Sequence, residues 1–333
     1  MDETIPEGFE LVNCPGCGSD RWSAARSGRD WILDSKQLIH IVRCDKCGLH
    51  FTNPRPDADH LGNYYPTEYN PYKKQRGEIQ RKSKASTALR TWVLASAYGS
   101  PQSKPKGWRR AAARVVMFFQ PMRQFGAGVE YEGEGRLLDF GCGNGTFLRR
   151  MKAIGWNCTG IDFSQQAVDA VKGDGIPALR GTLPHPELAA NQFDVVTMRQ
   201  ALEHVPNPKE ILLAARDILK PGGKLLINVP NFDSWEIEYF GDAALTMELP
   251  RHLVHFTPLT LRRMLEACGY ISVEVRQVSR VGWLVKSFGQ LQRREKKKWD
   301  GWFRYKPVIH LAAFRAQRLG KGNELIATGR KPR

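Results

Sequence analysis

The run Leu137-Leu138-Asp139-Phe140-Gly141-Cys142-Gly143-Asn144-Gly145-Thr146-Phe147-Leu148 sets an acid and three alternate glycines between an apolar strand and a helix. Such a turn brings bare backbone against a small polar ligand at the carboxyl end of a parallel strand, where open α/β sheets bind ligands. A dinucleotide fingerprint needs glycines at the first, third and sixth positions, so that a pyrophosphate sits on the helix N-terminus. Here the sixth position is Thr146, and Asp139 stands two residues before the first glycine. A carboxylate there repels a pyrophosphate and suits a ligand with a cationic amino group. The next strand, Trp156 to Ile161, ends in Asp162, about twenty residues past the glycines, where an acid accepts hydrogen bonds from a ribose diol.

A second constellation is metal-like. Cys14-Pro15-Gly16-Cys17-Gly18 and Cys44-Asp45-Lys46-Cys47-Gly48 are two Cys-x-x-Cys knuckles with 26 residues between them. Four thiolates close a tetrahedral shell around Zn2+ and leave no open position, so the ion is expected to be structural. Ser35 to Arg43 is expected to supply a strand between the knuckles. Cys142, Cys158 and Cys268 read as small buried residues.

The elements that must position these groups alternate. Strands are predicted at 136–140, 157–162, 177–180, 193–198 and 224–229, with helices at 144–154, 164–173 and 208–219. Lys220-Pro221-Gly222-Gly223 is expected as a turn before the fifth strand. Alternating βα units specify a parallel, doubly wound α/β sheet. A loop is expected over 230–257, then a helix from Thr260 to Cys268, a strand from Tyr270 to Val278, and a last antiparallel strand at 324–329. Residues 279–322 read as a helical insertion before that strand.

At this point residues 136–230 resemble a class I S-adenosylmethionine (SAM)-dependent methyltransferase. The resemblance rests on Asp139-Phe140-Gly141-Cys142-Gly143-Asn144-Gly145, Gly160-Ile161-Asp162-Phe163-Ser164, Phe193-Asp194-Val195-Val196-Thr197-Met198 and the Leu219–Pro230 segment, in that order. It implies a Rossmann-like seven-stranded sheet, a SAM cofactor and a role for each matched residue. Gly141, Gly143 and Gly145 would line the methionine and ribose portion, and Asp139 would favour the ammonium group. Asp162 would hold the ribose hydroxyls, with Phe163 beside the adenine. Thr182 and Leu183 are candidate adenine neighbours, and Arg199 a backbone contact to the methionine end. The ribbon followed by Asn53-Pro54-Arg55-Pro56 and Tyr64-Tyr65-Pro66 is similar to a bacterial group associated with cell-surface glycan and natural-product sugar pathways. Ala201-Leu202-Glu203-His204-Val205 is also similar to ubiquinone-type O-methyltransferases.

Methylation of a hydroxyl needs a proton acceptor, and histidine suits that near neutral pH. The candidates are His204, after the fourth strand, and His252 and His255, in the loop expected to cover the active site.

The chain of 333 residues carries a net charge of +16, unevenly spread. Residues 73–125 contribute +12 and residues 279–322 contribute +10, so the remainder is net negative. Trp92, Trp108, Phe118, Phe119, Trp283, Trp299, Trp302, Phe303, Tyr305 and Phe314 are interleaved with that charge. Such mixtures suit anionic lipid surfaces and also nucleic acid. The first residues lack an apolar core, and no apolar run reaches the ~18 residues of a membrane span. The expected location is cytoplasmic and peripheral on the inner membrane.

The sequence therefore sets out a zinc ribbon over 1–56, a linker and basic helical segment over 57–130, and a SAM-dependent methyltransferase domain over 131–333. The expected acceptor is a hydroxyl or carbon of a sugar or lipid-linked glycan intermediate. An RNA methyltransferase and a small-molecule quinone or phenol O-methyltransferase are the alternatives.

Overall fold

The computed structural model describes residues 5–65, 84–101, 107–119, 129–295 and 306–333. Residues 66–83 of the expected 57–130 segment, and Trp299, Trp302, Phe303 and Tyr305 of the predicted insertion, lie outside the described residues.

The N-terminal region carries β1 (Phe9–Glu10), β2 (Trp22–Gly28), β3 (Ile39–Cys44), β4 (His50–Thr52) and β5 (Arg55–Pro56), then helices α1 (Lys84–Tyr98) and α2 (Gly107–Phe119). The alternating core follows as β6 (Arg136–Phe140), α3 (Thr146–Ala153), β7 (Asn157–Asp162), α4 (Gln165–Lys172), β8 (Ala178–Arg180), β9 (Phe193–Arg199), α5 (Pro208–Ile218) and β10 (Leu219–Pro230). The C-terminal part adds α6 (Trp235–Phe240), β11 (Val254–His255), α7 (Pro258–Ala267), β12 (Ile271–Val278), α8 (Val281–Glu295), α9 (Lys306–Arg318) and β13 (Glu324–Arg330).

Seven strands form one mixed sheet in the order β12-β13-β10-β9-β6-β7-β8. The order reverses between β6 and β9, which is where a doubly wound sheet opens a ligand crevice at its carboxyl edge. β6 pairs parallel with β7, Leu138 opposite Thr159, and β7 pairs parallel with β8. Leu137 and Leu138 are both fully buried. A strand covered on both faces reads as an unbroken apolar run, which is why β6 is legible in the sequence. β12 and β13 are antiparallel.

The chain divides into two compact units. One comprises Glu68–Thr197 and Ala214–Leu225 with Arg333, and the other Met1–Thr67, Met198–Leu213 and Leu226–Pro332. In the first, Asp194 at the start of β9 accepts hydrogen bonds from the backbone N–H groups of Glu134 and Arg136 and from Lys220 Nζ. The Lys220-Pro221-Gly222-Gly223 run is therefore not a free turn: it lies inside β10, with Lys220 held by Asp194 and Glu134.

In the second unit, β2, β3 and β4 form an antiparallel ribbon, and β11 joins its edge to make the order β11-β4-β3-β2. Val254 lies opposite Phe51 and His255 opposite His50. Residues 230–257 are thus not the plain loop the sequence suggests. They hold a helix capped by Ser234 and a strand that completes the ribbon. Ile39 and Ile41 of β3 share one core with Ile237 and Phe240 of α6, Leu284 and Phe288 of α8, and Ile309 and Ala313 of α9.

Candidate functional site

The glycine turn occupies the carboxyl end of β6. Gly141, Gly143 and Gly145 all adopt left-handed backbone, with φ of 71°, 50° and 74°. At Gly145 the requirement is double, because an added Cβ would also lie 2.8 Å from Val171 Cγ2. Asn144 steadies the turn by accepting from both the N–H and the hydroxyl of Thr146 at the start of α3. Asp139 is buried at the end of β6, and Thr197 on β9 donates its hydroxyl to Oδ1 at 2.6 Å.

Asp162 ends β7. Its Oδ2 accepts from the Gly143 N–H and its Oδ1 from the Ser164 N–H, each at 2.9 Å. Ser164 caps α4 through the Ala167 N–H, so the Asp162 carboxylate is not consumed as the helix cap. Burial raises the Asp162 carboxyl above its ordinary range, against the lowering effect of the two N–H donors. Phe163, next to it, is 54% exposed. An open glycine backbone, a carboxylate with spare lone pairs and an uncovered aromatic ring fit the three parts of SAM: methionine, ribose and adenine. Thr182 is exposed after β8, whereas the neighbouring Leu183 is buried. Arg199, at the end of β9, is half-buried in the other unit.

The four cysteines converge. Cys14 and Cys47 Sγ are 3.5 Å apart, as are Cys17 and Cys44, and all four sulfurs lie within 4.8 Å of one another. A zinc tetrahedron with ~2.3 Å bonds needs sulfur separations of about 3.8 Å. The two knuckles are built alike: the Gly18 N–H donates to the Cys14 carbonyl and the Gly48 N–H to the Cys44 carbonyl. Burial pushes the Cys14 and Cys47 thiols up, Cys47 to about 11. At Cys44 the same burial is outweighed by the backbone N–H groups of Cys47 and Lys46, and the thiol falls to about 7. Holding four such sulfurs together without a cation is unfavourable once they ionise, so the donor set fits a thiophilic metal.

The histidines lie in the ribbon unit. His204 Nδ1 is 3.1 Å from the Arg251 carbonyl and 3.1 Å from the Tyr65 hydroxyl. His252 Nδ1 is 3.0 Å from the Thr246 carbonyl. A carbonyl only accepts, so both rings carry hydrogen on Nδ1 and present Nε2 as a lone pair. The two rings meet edge to face at 4.7 Å. Beside them Glu203 is buried, and among the described residues neither of its carboxylate oxygens has a hydrogen-bond partner. Burial holds the Glu203 carboxyl well above its ordinary range and the His252 imidazole well below its own. One ligand atom from each of Glu203, His204 and His252 falls within 4.8 Å of the others, a donor set able to hold a divalent cation. His255 stands apart from that set. Its Nε2 is 3.1 Å from the Thr52 hydroxyl, which itself donates to the His252 carbonyl, and burial pushes the ring down to about 3.

Arg251 is the residue the sequence did not single out. Its guanidinium, 0% exposed, grips Asp30, 1% exposed, through two nitrogens at 2.9 and 2.7 Å, and also donates to the carbonyls of Tyr64 and Leu249. Nothing in the spacing of Asp30 and Arg251 signals the pairing. The Glu203-His204 adjacency was visible, but the exposure of its oxygens to neither partner nor solvent was not.

The fold and the glycine cradle define a SAM-binding class I α/β domain. The chain belongs to the methyltransferase domain family, whose model matches residues 107–275. A ubiquinone biosynthesis O-methyltransferase of Shewanella pealeana is 36% identical over 103 residues, 29% of this chain and 44% of that protein. One from Aeromonas salmonicida is 31% identical over 159 residues, 44% of this chain and 66% of that protein. The chain spans about half the length of the curated relatives it matches first, 44% and 51%. A solved SAM-dependent methyltransferase of Archaeoglobus fulgidus aligns with a TM-score of 0.44 at 20% identity, over 66% of this chain and 93% of that one.

These relatives correct the expected acceptor. The sugar or lipid-linked glycan assignment drew on the resemblance of the ribbon segment and on the charge of the additions. The relatives that match the methyltransferase core are named for quinone O-methylation, which supports the small-molecule alternative instead.

Proposed function

We propose that this chain is a SAM-dependent O-methyltransferase acting on a hydroxyl of a small phenolic, quinone-type acceptor. The observation that carries the reading is the set of relatives named ubiquinone biosynthesis O-methyltransferase, which align with this chain at 29% to 36% identity. The bound cofactor supplies an electrophilic methyl on its sulfonium. Asp139, the glycines and Asp162 would hold and orient it, and orientation of this kind accounts for much of the rate of an in-line displacement. His204 is the group assigned to take the hydroxyl proton, because its Nε2 is the bare nitrogen of a ring fixed at Nδ1 by the Arg251 carbonyl. His204→Ala should then lower kcat while leaving SAM affinity within about twofold, since general-base catalysis contributes roughly a hundredfold or more.

The test is transfer of labelled methyl from SAM to a panel of catechols and hydroxyquinols bearing short prenyl tails, with nucleotide sugars and total RNA as counter-panels. Methylation of the phenols supports the reading. Methylation confined to RNA or to sugars overturns it.

The reading includes a structural zinc at Cys14, Cys17, Cys44 and Cys47. The purified chain should contain zinc by elemental analysis. Cys44→Ser, or stripping with a strong chelator, should release it and lower the melting temperature. Because the Thr52 N–H donates to the Leu253 carbonyl across β4 and β11, hydrogen exchange at Thr52 should rise at the same time. A chain that carries no zinc and melts unchanged as Cys44→Ser would remove this part of the proposal.

A further inference from the structure

Helix α9 has two apolar faces. Ile309, Ala313 and Ala316, at i, i+4 and i+7, are buried, and Ile309 and Ala313 pack into the ribbon-unit core with Leu284 and Phe288 of α8. At 100° per residue the opposite face carries Leu311, Phe314 and Arg318, at i, i+3 and i+7. Leu311 is 58% exposed and Phe314 60%, and Leu319, just past the helix end, is 76% exposed. Single exposed apolar residues are ordinary, but Leu311 and Phe314 adjoin at i and i+3 to form a ridge on one short helix, and Leu319 follows its end.

The ridge is set in positive charge. Arg318 lies over the Phe314 ring at 5.5 Å, and Arg315 is exposed beside it. α9 contains no acidic residue, and the 279–322 segment that holds it carries +10. A helix that buries one face in its own protein and turns leucine, phenylalanine and arginine outward has the composition of an interfacial helix. Arginine stems lie along apolar surface while their heads reach phosphate. Phosphates of a nucleic acid would satisfy the arginines but leave Leu311 and Leu319 in water. An anionic bilayer satisfies both, with acyl chains for the ridge and headgroups for the guanidinium groups.

We propose that the outward face of α9, built on Leu311, Phe314 and Leu319 with Arg315 and Arg318, docks this protein on an anionic lipid surface. The docking brings a partner of its own chemistry and does not depend on which acceptor is methylated.

The full chain is tested by co-sedimentation with large unilamellar vesicles at low salt. Vesicles of phosphatidylglycerol and phosphatidylcholine should pellet it, and vesicles of phosphatidylcholine alone should do so weakly. The double variant Leu311→Ser/Phe314→Ser should lose about tenfold or more in partition, since apolar burial in the interface sets the strength of such binding. Arg315→Glu/Arg318→Glu should lose about fivefold or more per arginine. Both variants alter exposed side chains, so the melting temperature and SAM affinity should match the parent, which separates loss of docking from loss of fold or of cofactor binding. The proposal is overturned if the parent stays in the supernatant with phosphatidylglycerol. It is equally overturned if Leu311→Ser/Phe314→Ser pellets as the parent does, or if the chain retains labelled single-stranded RNA while ignoring vesicles.

Discussion

Replacing Asp30 by alanine should lower the unfolding free energy by about 3 kcal/mol, the low end of the cost of breaking a buried ion pair, because Glu248 still faces Arg251. Arg251 is wholly buried, and Asp30 takes both of its terminal nitrogens in a fork geometry. The carbonyls of Tyr64 and Leu249 remain as acceptors, and Glu248, whose Oε1 lies 3.3 Å from Arg251 Nε, remains as a partly exposed countercharge. Urea titration of parent and variant reads the difference. The double variant Asp30→Ala/Arg251→Met should recover most of the loss, because a thioether of similar reach fills the space without a charge to solvate. A single-variant loss below about 1 kcal/mol, the range of exposed pairs, would show that Glu248 or water compensates Arg251 in place of Asp30. The effect reaches the histidines because Arg251 also supplies the carbonyl that fixes His204 Nδ1. Asp30→Ala is therefore expected to cost turnover beyond its cost in folded fraction.

The α/β core was legible because its physics is local. β6 and β9 are buried strands rich in apolar residues, and the acids Asp139 and Asp162 mark the carboxyl ends of β6 and β7. The two cysteine knuckles were legible because each is closed by bonds within five residues, such as Gly18 N–H to the Cys14 carbonyl. The ribbon's completion was not legible. β11 is two residues long and pairs with β4 about two hundred residues earlier, too short for any periodicity to show. Thr52, which holds both the His252 carbonyl and the His255 ring, is likewise 200 and 203 residues from its partners. Local signals did exist in 230–257: Ser234 three residues ahead of Ile237 is a helix cap, and α6 follows it. The acceptor was misread for a different reason. Charge and a metal ribbon describe surface and scaffold, whereas the acceptor is chosen by side chains at the reacting centre, and those come from distant segments that only the fold assembles.

The Asp162 carboxylate should decide cofactor binding. The methyltransferase resemblance assigns it the ribose hydroxyls, and each of its oxygens already holds one backbone N–H. Asp162→Ala removes two charge-assisted acceptors for a diol and also frees the Gly143 N–H that positions the glycine turn. At about 1.5–3 kcal/mol for each hydrogen bond to a charged group, SAM affinity should fall by roughly a hundredfold or more. Isothermal titration reads the dissociation constant directly, without need of an acceptor. Asp162→Asn is the sharper control. It keeps the shape and one accepting oxygen, so it should hold only one of the two backbone N–H groups, from Gly143 or Ser164, and lose the charge-assisted part of the affinity. The free protein loses one backbone hydrogen bond but is relieved of a charge that burial already disfavours, so it should suffer less than the complex does. Asp162→Asn melting slightly below the parent without SAM, and further below it with saturating SAM, is the expected pair of results. Unchanged SAM affinity in both variants would mean that the cradle holds its ligand by the glycine backbone and Asp139 alone.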